Sequence, residues 1–130
     1  MAILESHPPM PGLHGDFTLD SIAADAKTQV IAVDGTILMA EARTLESQVI
    51  AGIRSGRTLV VLDLTGVSHT GPGLLGALLR VRRGVTRVAG QLALVVDGPP
   101  VSELVSMSLL ARLVHVTADR ESALALVHDR

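Results

Sequence analysis

The spacing of apolar positions changes along the chain between strand-like and helix-like periods. Residues 58–64 (TLVVLDL) and 91–96 (QLALVV) are almost continuously apolar, as is typical of parallel strands covered on both faces. The β-branched segment 28–33 and a weaker alternation over residues 17–22 predict two further strands. Residues 114–116 predict a short last strand.

Helical spacing of apolar residues predicts four helices between and after these strands. The first covers residues 39–54, the second begins near Pro72, the third covers residues 101–113, and the last follows Asp119, a residue type that caps helix N-termini. The resulting order of elements, β-β-α-β-α-β-α-β-α, predicts an α/β fold. It contains a mixed, mostly parallel β-sheet flanked by about four helices.

The length and the proline distribution predict one domain preceded by an arm. The chain has 130 residues, which suits a single domain. Residues 1–15 hold three of the six prolines and show no periodicity. We therefore expect a flexible N-terminal arm over residues 1–15 and the folded domain over residues 16–130.

Composition excludes several classes of function. The net charge of −2 and the single aromatic residue, Phe17, argue against nucleic-acid binding. Without cysteine there are no disulfides, thiolate metal sites or cysteine nucleophiles. No apolar run is long enough to span a membrane, and no signal peptide is recognisable. A cytoplasmic protein without cofactor is the resulting expectation.

The second predicted helix has an apolar stripe and two further leucines on the flank of that stripe. The stripe is wide enough to pack on a sheet and contains Leu74, Leu78, Val81, Val85 and Val88. On the opposite side lie Arg80, Arg83 and Arg87, and between the two lie Leu75 and Leu79. Two interpretations are open: the buried face is simply wide, or these leucines belong to an arginine-rimmed surface for a partner protein.

Residues 71–76 read GPGLLG and match the spacing of a dinucleotide-binding loop through Gly71, Gly73 and Gly76. Asp97 follows 21 residues later and could bind a ribose. A small nucleotide-binding regulatory module is therefore one candidate function. Against it, six residues separate Leu64, the expected strand end, from Gly71, whereas such loops follow their strand directly.

Polar residues of the same region do not form a recognisable catalytic or metal site. Ser68 and His69 lie near Asp63 in the sequence, but adjacency along a loop does not create triad geometry, and there is no G-x-S-x-G motif. The histidines lack paired metal-ligand spacing. We therefore expect no enzyme activity and no metal, and we expect Asp63 to accept hydrogen bonds from its neighbours.

One segment resembles a known family. Residues 60–67 (VVLDLTGV) followed by residues 75–79 (LGALL) are similar to the STAS domain of anti-sigma factor antagonists and sulfate transporters. In that family the segment runs roughly as VVLDLSGVTFIDSSGLGALL. The resemblance covers about residues 16–128. It implies a STAS-like fold and a regulatory protein that binds an anti-sigma factor or a related ATP-binding, kinase-like protein.

The family's phosphorylated serine has no counterpart in this chain. Its Asp-Ser pair falls on Gly71 and Pro72, or on Thr70 and Gly71 if the alignment shifts by one residue. Proline has no hydroxyl, so a phosphoserine at that position is chemically impossible. Thr70 and Ser68 are only weak alternative phosphosites. The resemblance therefore implies a degenerate phosphorylation site and a binder that is not phosphorylated at the usual serine.

The resemblance also implies where the partner binds. The expected surface combines the loop before the second helix, the start of that helix and the nearby turn after the second predicted strand. It contains Thr36, Leu38, Ser68, His69, Thr70, Gly71, Pro72, Gly73, Leu75, Leu79 and Arg80. The sequence leaves open whether the domain acts alone or forms a homodimer through an exposed strand edge.

Overall fold

Six strands form one sheet in the computed structural model, which describes residues 4–6 and 16–129. The strands lie side by side in chain order. They are β1 (Leu4–Ser6), β2 (Thr18–Asp25), β3 (Thr28–Ile37), β4 (Leu59–Thr70), β5 (Gln91–Val95) and β6 (His115–Thr117). β1, β2 and β3 pair antiparallel, whereas β3 to β6 pair parallel. The predicted mixed, mostly parallel sheet is confirmed.

Helices connect the parallel strands, because such strands need a crossover from one end of the sheet to the other. The five helices are α1 (Met39–Arg54), α2 (Gly73–Arg87), α3 (Val101–Ser106), α4 (Leu110–Leu113) and α5 (Arg120–His128). The predicted bounds of α1 are confirmed at both ends. Asp119 caps α5 as expected, since its carboxylate accepts a hydrogen bond from the Ser122 N–H at 2.7 Å.

The sheet separates two apolar cores of unequal size. Alternate residues of β4 point to opposite faces, so Leu62 packs with α1 to α4 while Val61 packs with α5. The larger core takes residues from β2 to β5 and from four helices. The smaller one contains six buried residues: Val30, Val61, Ala93, Val95, Ala123 and Val127. This arrangement explains why β4 reads as an almost continuous apolar run.

The third predicted helix is two short helices. The chain turns at residues 107–109, where the Ser108 N–H bonds to the Val105 carbonyl and the Ser108 hydroxyl accepts from the Leu110 N–H. Met107, which fits the helical spacing, is 87% exposed. A serine that bonds to nearby backbone groups competes with helix continuation, and this explains the break.

Part of the expected flexible arm is a strand. Residues 4–6 form β1 and pair with β2, with Leu4 opposite Ile22 and Ser6 opposite Asp20. Three residues are too few to show a strand period in the sequence. The rest of the expected arm, residues 1–3 and 7–15, lies outside the described residues.

Candidate partner-binding surface

Two crossover connections begin at the same edge of the sheet. Thr36 lies opposite His69, and Ile37 lies opposite Thr70, in the parallel register of β3 and β4. The Gly71 N–H then donates to the Ile37 carbonyl at 3.1 Å. Residues 36–39 and 68–73 therefore form one surface, which we call the crossover surface.

Residues 65–70 were predicted as a loop, and this prediction is wrong because they continue β4. They pair with the second half of β3, with register shifts between Ala32 and Asp34 and between Gly35 and Thr36. The segment is polar and only partly covered, so it lacks the apolar run by which the first half of β4 is recognised. The strand consequently ends at Thr70, directly before Gly71.

The glycines at the start of α2 allow the starts of α1 and α2 to approach closely. A Cβ on Gly71 would lie 3.1 Å from Leu38 Cδ2, and one on Gly73 would lie 3.3 Å from the Met39 Cα. In a dinucleotide-binding loop the backbone at such glycines approaches a pyrophosphate. Here the space beside Gly71 and Gly73 is taken by Leu38 and by Met39 at the start of α1. A Cβ on Gly76 would instead lie 3.3 Å from Arg80 Nη1.

A buried carboxylate holds the start of α1. Glu41, the third residue of the helix, is fully buried, and its Oε1 accepts from the Leu38 N–H at 2.9 Å. Satisfying this N–H orders the residue that precedes the helix. No role was assigned to Glu41 from the sequence. Glu41 lies three residues after Leu38, the residue that precedes the helix, and this spacing is the sequence signal for the contact.

Two apolar side chains are exposed at the crossover surface. Leu38 is 39% exposed and Met39 is 54% exposed. Beside them on β4, Ser68 and His69 are exposed, and the Ser68 Oγ lies 3.2 Å from His69 Nδ1. Met39, the last residue of the turn that was predicted to join this surface, is the more exposed of the two apolar side chains.

The residues predicted on α2 divide between two sides of the helix. Arg80 points toward α1, where its Nε donates to Glu46 Oε1 at 2.7 Å. Leu75 and Leu79 share a flank with Arg82, which lines a cavity next to α4. Leu79 is 39% exposed and Leu75 is half-buried against the larger core. The predicted buried stripe is confirmed except at Val88, which follows the last helical residue and is 45% exposed.

The residue that precedes α2 has no hydroxyl group. That residue is Pro72, which is exposed and in helical backbone conformation. The Thr70 hydroxyl lies on β4, half-buried, and donates to the Gly71 carbonyl at 3.2 Å. Ser68 is two residues earlier on the same strand.

Asp63 lies on the face of the sheet that α5 covers. As expected, it accepts hydrogen bonds from its neighbour Thr65, through the N–H at 3.0 Å and the hydroxyl at 2.7 Å. Arg120 of α5 donates to its other oxygen at 2.6 Å, a partner that sequence proximity did not indicate. The side-chain hydrogen bonds of Asp63 go to Thr65 and Arg120, and none joins it to Ser68 or His69 in the described part of the chain, so these three residues form no triad.

The remaining candidate chemistry is not assembled by the fold. Asp97 is exposed and lies two residues after the end of β5. Within residues 4–6 and 16–129, no group of three or more histidines and carboxylates could hold a metal ion. No helix among these residues has the length and apolar character needed to cross a membrane.

Comparison with solved structures shows the same fold in anti-sigma factor antagonists. An antagonist from Mycobacterium paratuberculosis superposes with a TM-score of 0.73 at 21% identity, covering 99% of this chain and 94% of that one. The antagonist SpoIIAA in its unphosphorylated form gives 0.68 at 19% identity, covering 88% and 99% of the two chains.

The same fold also occurs as a part of a much larger protein. The murine anion transporter Slc26a9 matches with a TM-score of 0.67 at 18% identity, covering 82% of this chain but only 18% of the transporter. No curated protein matches the sequence significantly. A family model described as the STAS domain matches residues 21–123, which is most of the chain. The chain therefore belongs to the STAS domain family.

Proposed function

We propose that this STAS domain is a regulatory binding module that acts as an anti-sigma factor antagonist, not an enzyme. Its partner is an anti-sigma factor or a related ATP-binding, kinase-like protein in the cytoplasm. The observation that carries the proposal is the exposure of Leu38 and Met39 at the crossover surface, next to the close approach of the helix starts at Gly71 and Gly73. The structural neighbours that are anti-sigma factor antagonists support the choice of partner.

The chemistry of the crossover surface suits a protein partner. Exposed apolar side chains surrounded by polar groups are typical of the centre of a protein interface. Here Leu38 and Met39 form the apolar part, and Ser68 and His69 supply polar groups beside it. A methionine adapts its shape to a partner at little energetic cost, because its side chain is unbranched and flexible.

We further propose that binding is not switched by phosphorylation at the start of α2. A phosphoserine there would place nearly two negative charges against the helix N-terminus. Pro72 cannot carry the group, and Thr70 and Ser68 lie on β4 instead. After incubation with the partner and ATP, intact-mass measurement should show no stoichiometric phosphate. Stoichiometric phosphate on Thr70 or Ser68 would refute this part of the proposal.

The central test compares two methionines that are both exposed. Met39→Glu places a carboxylate on the crossover surface, at a helix start where negative charge does not oppose folding. Met107→Glu makes the same change at the turn between α3 and α4. A partner captured from the source lysate is identified, purified and titrated calorimetrically against each variant.

We expect Met39→Glu to weaken binding of an anti-sigma factor at least tenfold, about 1.4 kcal/mol or more, because the interface would bury an unpaired carboxylate. Met107→Glu should leave the affinity unchanged. Equal affinities for both variants would show that the crossover surface is not part of the interface. Capture of a partner that is not an anti-sigma factor or ATP-binding relative would contradict the proposed partner class.

The nucleotide-binding alternative has its own test. A nucleotide bound through Gly71, Gly73 and Asp97 would stabilise the folded state and raise the melting temperature. We expect no rise with millimolar ATP, GTP or NAD, because Leu38 and Met39 occupy the space beside the glycines. A rise that Asp97→Ala abolishes would favour the nucleotide module instead.

A further inference from the structure

A cavity of about 220 Å³ opens between the second half of α2 and the connection from α4 to β6. Its basic residues come from three different elements: Arg82 from α2, Arg112 from α4 and His115 from β6. None of the residues that line it is Asp or Glu. We call it the basic cavity.

Among the described residues, the two arginines of the basic cavity lack counterions. In the described part of the chain, neither the Arg82 nor the Arg112 guanidinium makes an ion pair or a hydrogen bond. By contrast, Arg80 is paired with Glu46 and Arg120 with Asp63. The two guanidinium groups repel each other, and an anion placed between them would be attracted to both.

We propose that the basic cavity binds a phosphate group, either as inorganic phosphate or as a small phosphomonoester. A guanidinium presents a planar set of donors that matches two phosphate oxygens. Gln91 also lines the cavity, and its amide is a donor type that phosphate accepts. The volume holds a phosphate group, and the open mouth leaves room for a small alcohol part.

This site is distinct from the crossover surface and from the glycine-rich segment. Those lie at the start of α2, whereas Arg82 and Thr86 lie in its last two turns. The negative end of the helix dipole acts within the last turn, which contains the lining residues Val85 and Thr86, so it opposes an anion here by about half a charge. Two full positive charges outweigh half a charge, so the site still favours an anion.

The test is calorimetric titration with sodium phosphate at constant ionic strength, since screening would otherwise vary during the titration. Arg82→Gln and Arg112→Gln each remove one guanidinium and keep a polar side chain. Arg83→Gln is the matched control, because Arg83 is the next residue on α2, is exposed and does not line the cavity. We expect each cavity variant to weaken phosphate binding about tenfold or more, and the control to bind as the unchanged protein does.

Thermal melting provides a second readout that also checks folding. Each variant without ligand should melt close to the unchanged protein, and phosphate should raise the midpoint only where both cavity arginines are present. Repeating the titration with glycerol 3-phosphate distinguishes the two proposed ligands, inorganic phosphate and a small phosphomonoester. Tighter binding of the ester indicates a phosphomonoester, and tighter binding of the free ion indicates inorganic phosphate.

Three results would overturn the proposal. The first is no binding of either compound at millimolar concentration. The second is binding that both cavity variants retain, which would place the anion elsewhere. The third is an equal loss in Arg82→Gln and Arg83→Gln, which would mean that the net charge of α2 attracts phosphate without a defined site.

Discussion

On one face of the sheet, four helices cover a broad apolar core. On the other, within the described part of the chain, only α5 packs on the sheet, and its Ala123 and Val127 cover four buried strand residues. The larger face gains its stability mainly from packed side chains such as Leu62 and Leu78, both fully buried. The smaller face adds polar contacts to its modest apolar area. The two faces should therefore respond differently to core truncation and to pH.

Three carboxylates connect α5 to the rest of the molecule or cap it. Asp63 accepts from Arg120 at 2.6 Å, Asp25 lies 3.3 Å from His128, and Asp119 caps the helix start. The pKa of each of these three carboxylates lies below the ordinary aspartate value. Acid should therefore loosen α5 before it affects the larger core.

The causes of these lowered pKa values differ. Burial acts to raise the pKa of Asp63, but hydrogen bonds from Thr65 and Arg120 outweigh it and lower the pKa. The Lys27 N–H and then the Thr28 hydroxyl lower the pKa of Asp25, with a smaller effect from His128. Each lowered pKa means that the folded state prefers the ionised carboxylate more than the unfolded state does.

The largest expected effect comes from truncating the larger core. Leu78→Ala should lower the free energy of unfolding by about 2–5 kcal/mol, because Leu78 is fully buried and its neighbours cannot close the cavity. Val127→Ala, at a fully buried position of the smaller core, should cost about 1–2 kcal/mol, since it removes only two methyl groups. Urea denaturation measures both values. If Val127→Ala lowered the free energy of unfolding more than Leu78→Ala does, the proposed ranking of the two faces would be wrong.

The next effect concerns Asp63. Asp63→Asn should cost about 1–2 kcal/mol at neutral pH, because it removes the charge that Arg120 and Thr65 stabilise. The folded-state pKa is lowered, so this stability is present above about pH 4, the ordinary aspartate range, and is lost as pH falls through the folded pKa.

The measurement is the free energy of unfolding of both proteins from pH 7 to pH 2. The difference between the unchanged protein and the Asp63→Asn variant should shrink below about pH 4 as the carboxylate becomes protonated. A constant difference over this range would show that the charge of Asp63 is not what stabilises α5.

A smaller effect is expected at the start of α5. Asp119→Ala removes the acceptor for the Ser122 N–H and should lower the melting temperature. Glu121→Ala is the control, because Glu121 is an exposed residue of the first helical turn that does not cap the helix. Equal melting temperatures for the two variants would mean that the cap does not stabilise α5.

The smallest effect is expected at Met107, which lies on the helix-rich face of the molecule but is 87% exposed. Met107→Glu should change the free energy of unfolding by less than about 0.5 kcal/mol, since so exposed a side chain buries little apolar surface that the substitution could remove. Denaturation in urea measures it. A larger loss would show that the turn between α3 and α4 takes part in core packing.

Much of the fold could be predicted because the relevant signals are local. The bounds of α1 follow from apolar spacing and from Gly56, which lies two residues after the helix, and Asp119 is a recognisable helix cap. The apolar runs of β4 and β5 indicate strands covered on both faces. For the candidate surface, sequence resemblance indicated residues 36–38 and 68–73, and the structure brings these segments together through the parallel pairing of β3 with β4.

Other features depend on contacts between distant residues. Residues 65–70 form a strand because β3 supplies their hydrogen-bond partners, which no local pattern reveals. Arg120 reaches Asp63 across 57 positions in the sequence. The basic cavity likewise joins Arg82 to Arg112 and His115, residues that have no common motif.

The sequence by itself determined the types of the longer elements, the parallel order of the main strands and the absence of a hydroxyl at Pro72. Periodicity, caps and chemical identity are properties of neighbouring residues. Only the tertiary structure decided which apolar side chains stay exposed. Leu38, Met39 and Met107 are as apolar as Leu74, yet Leu74 alone is fully buried. Burial depends on what packs against a side chain, and that is settled by helix and strand placement.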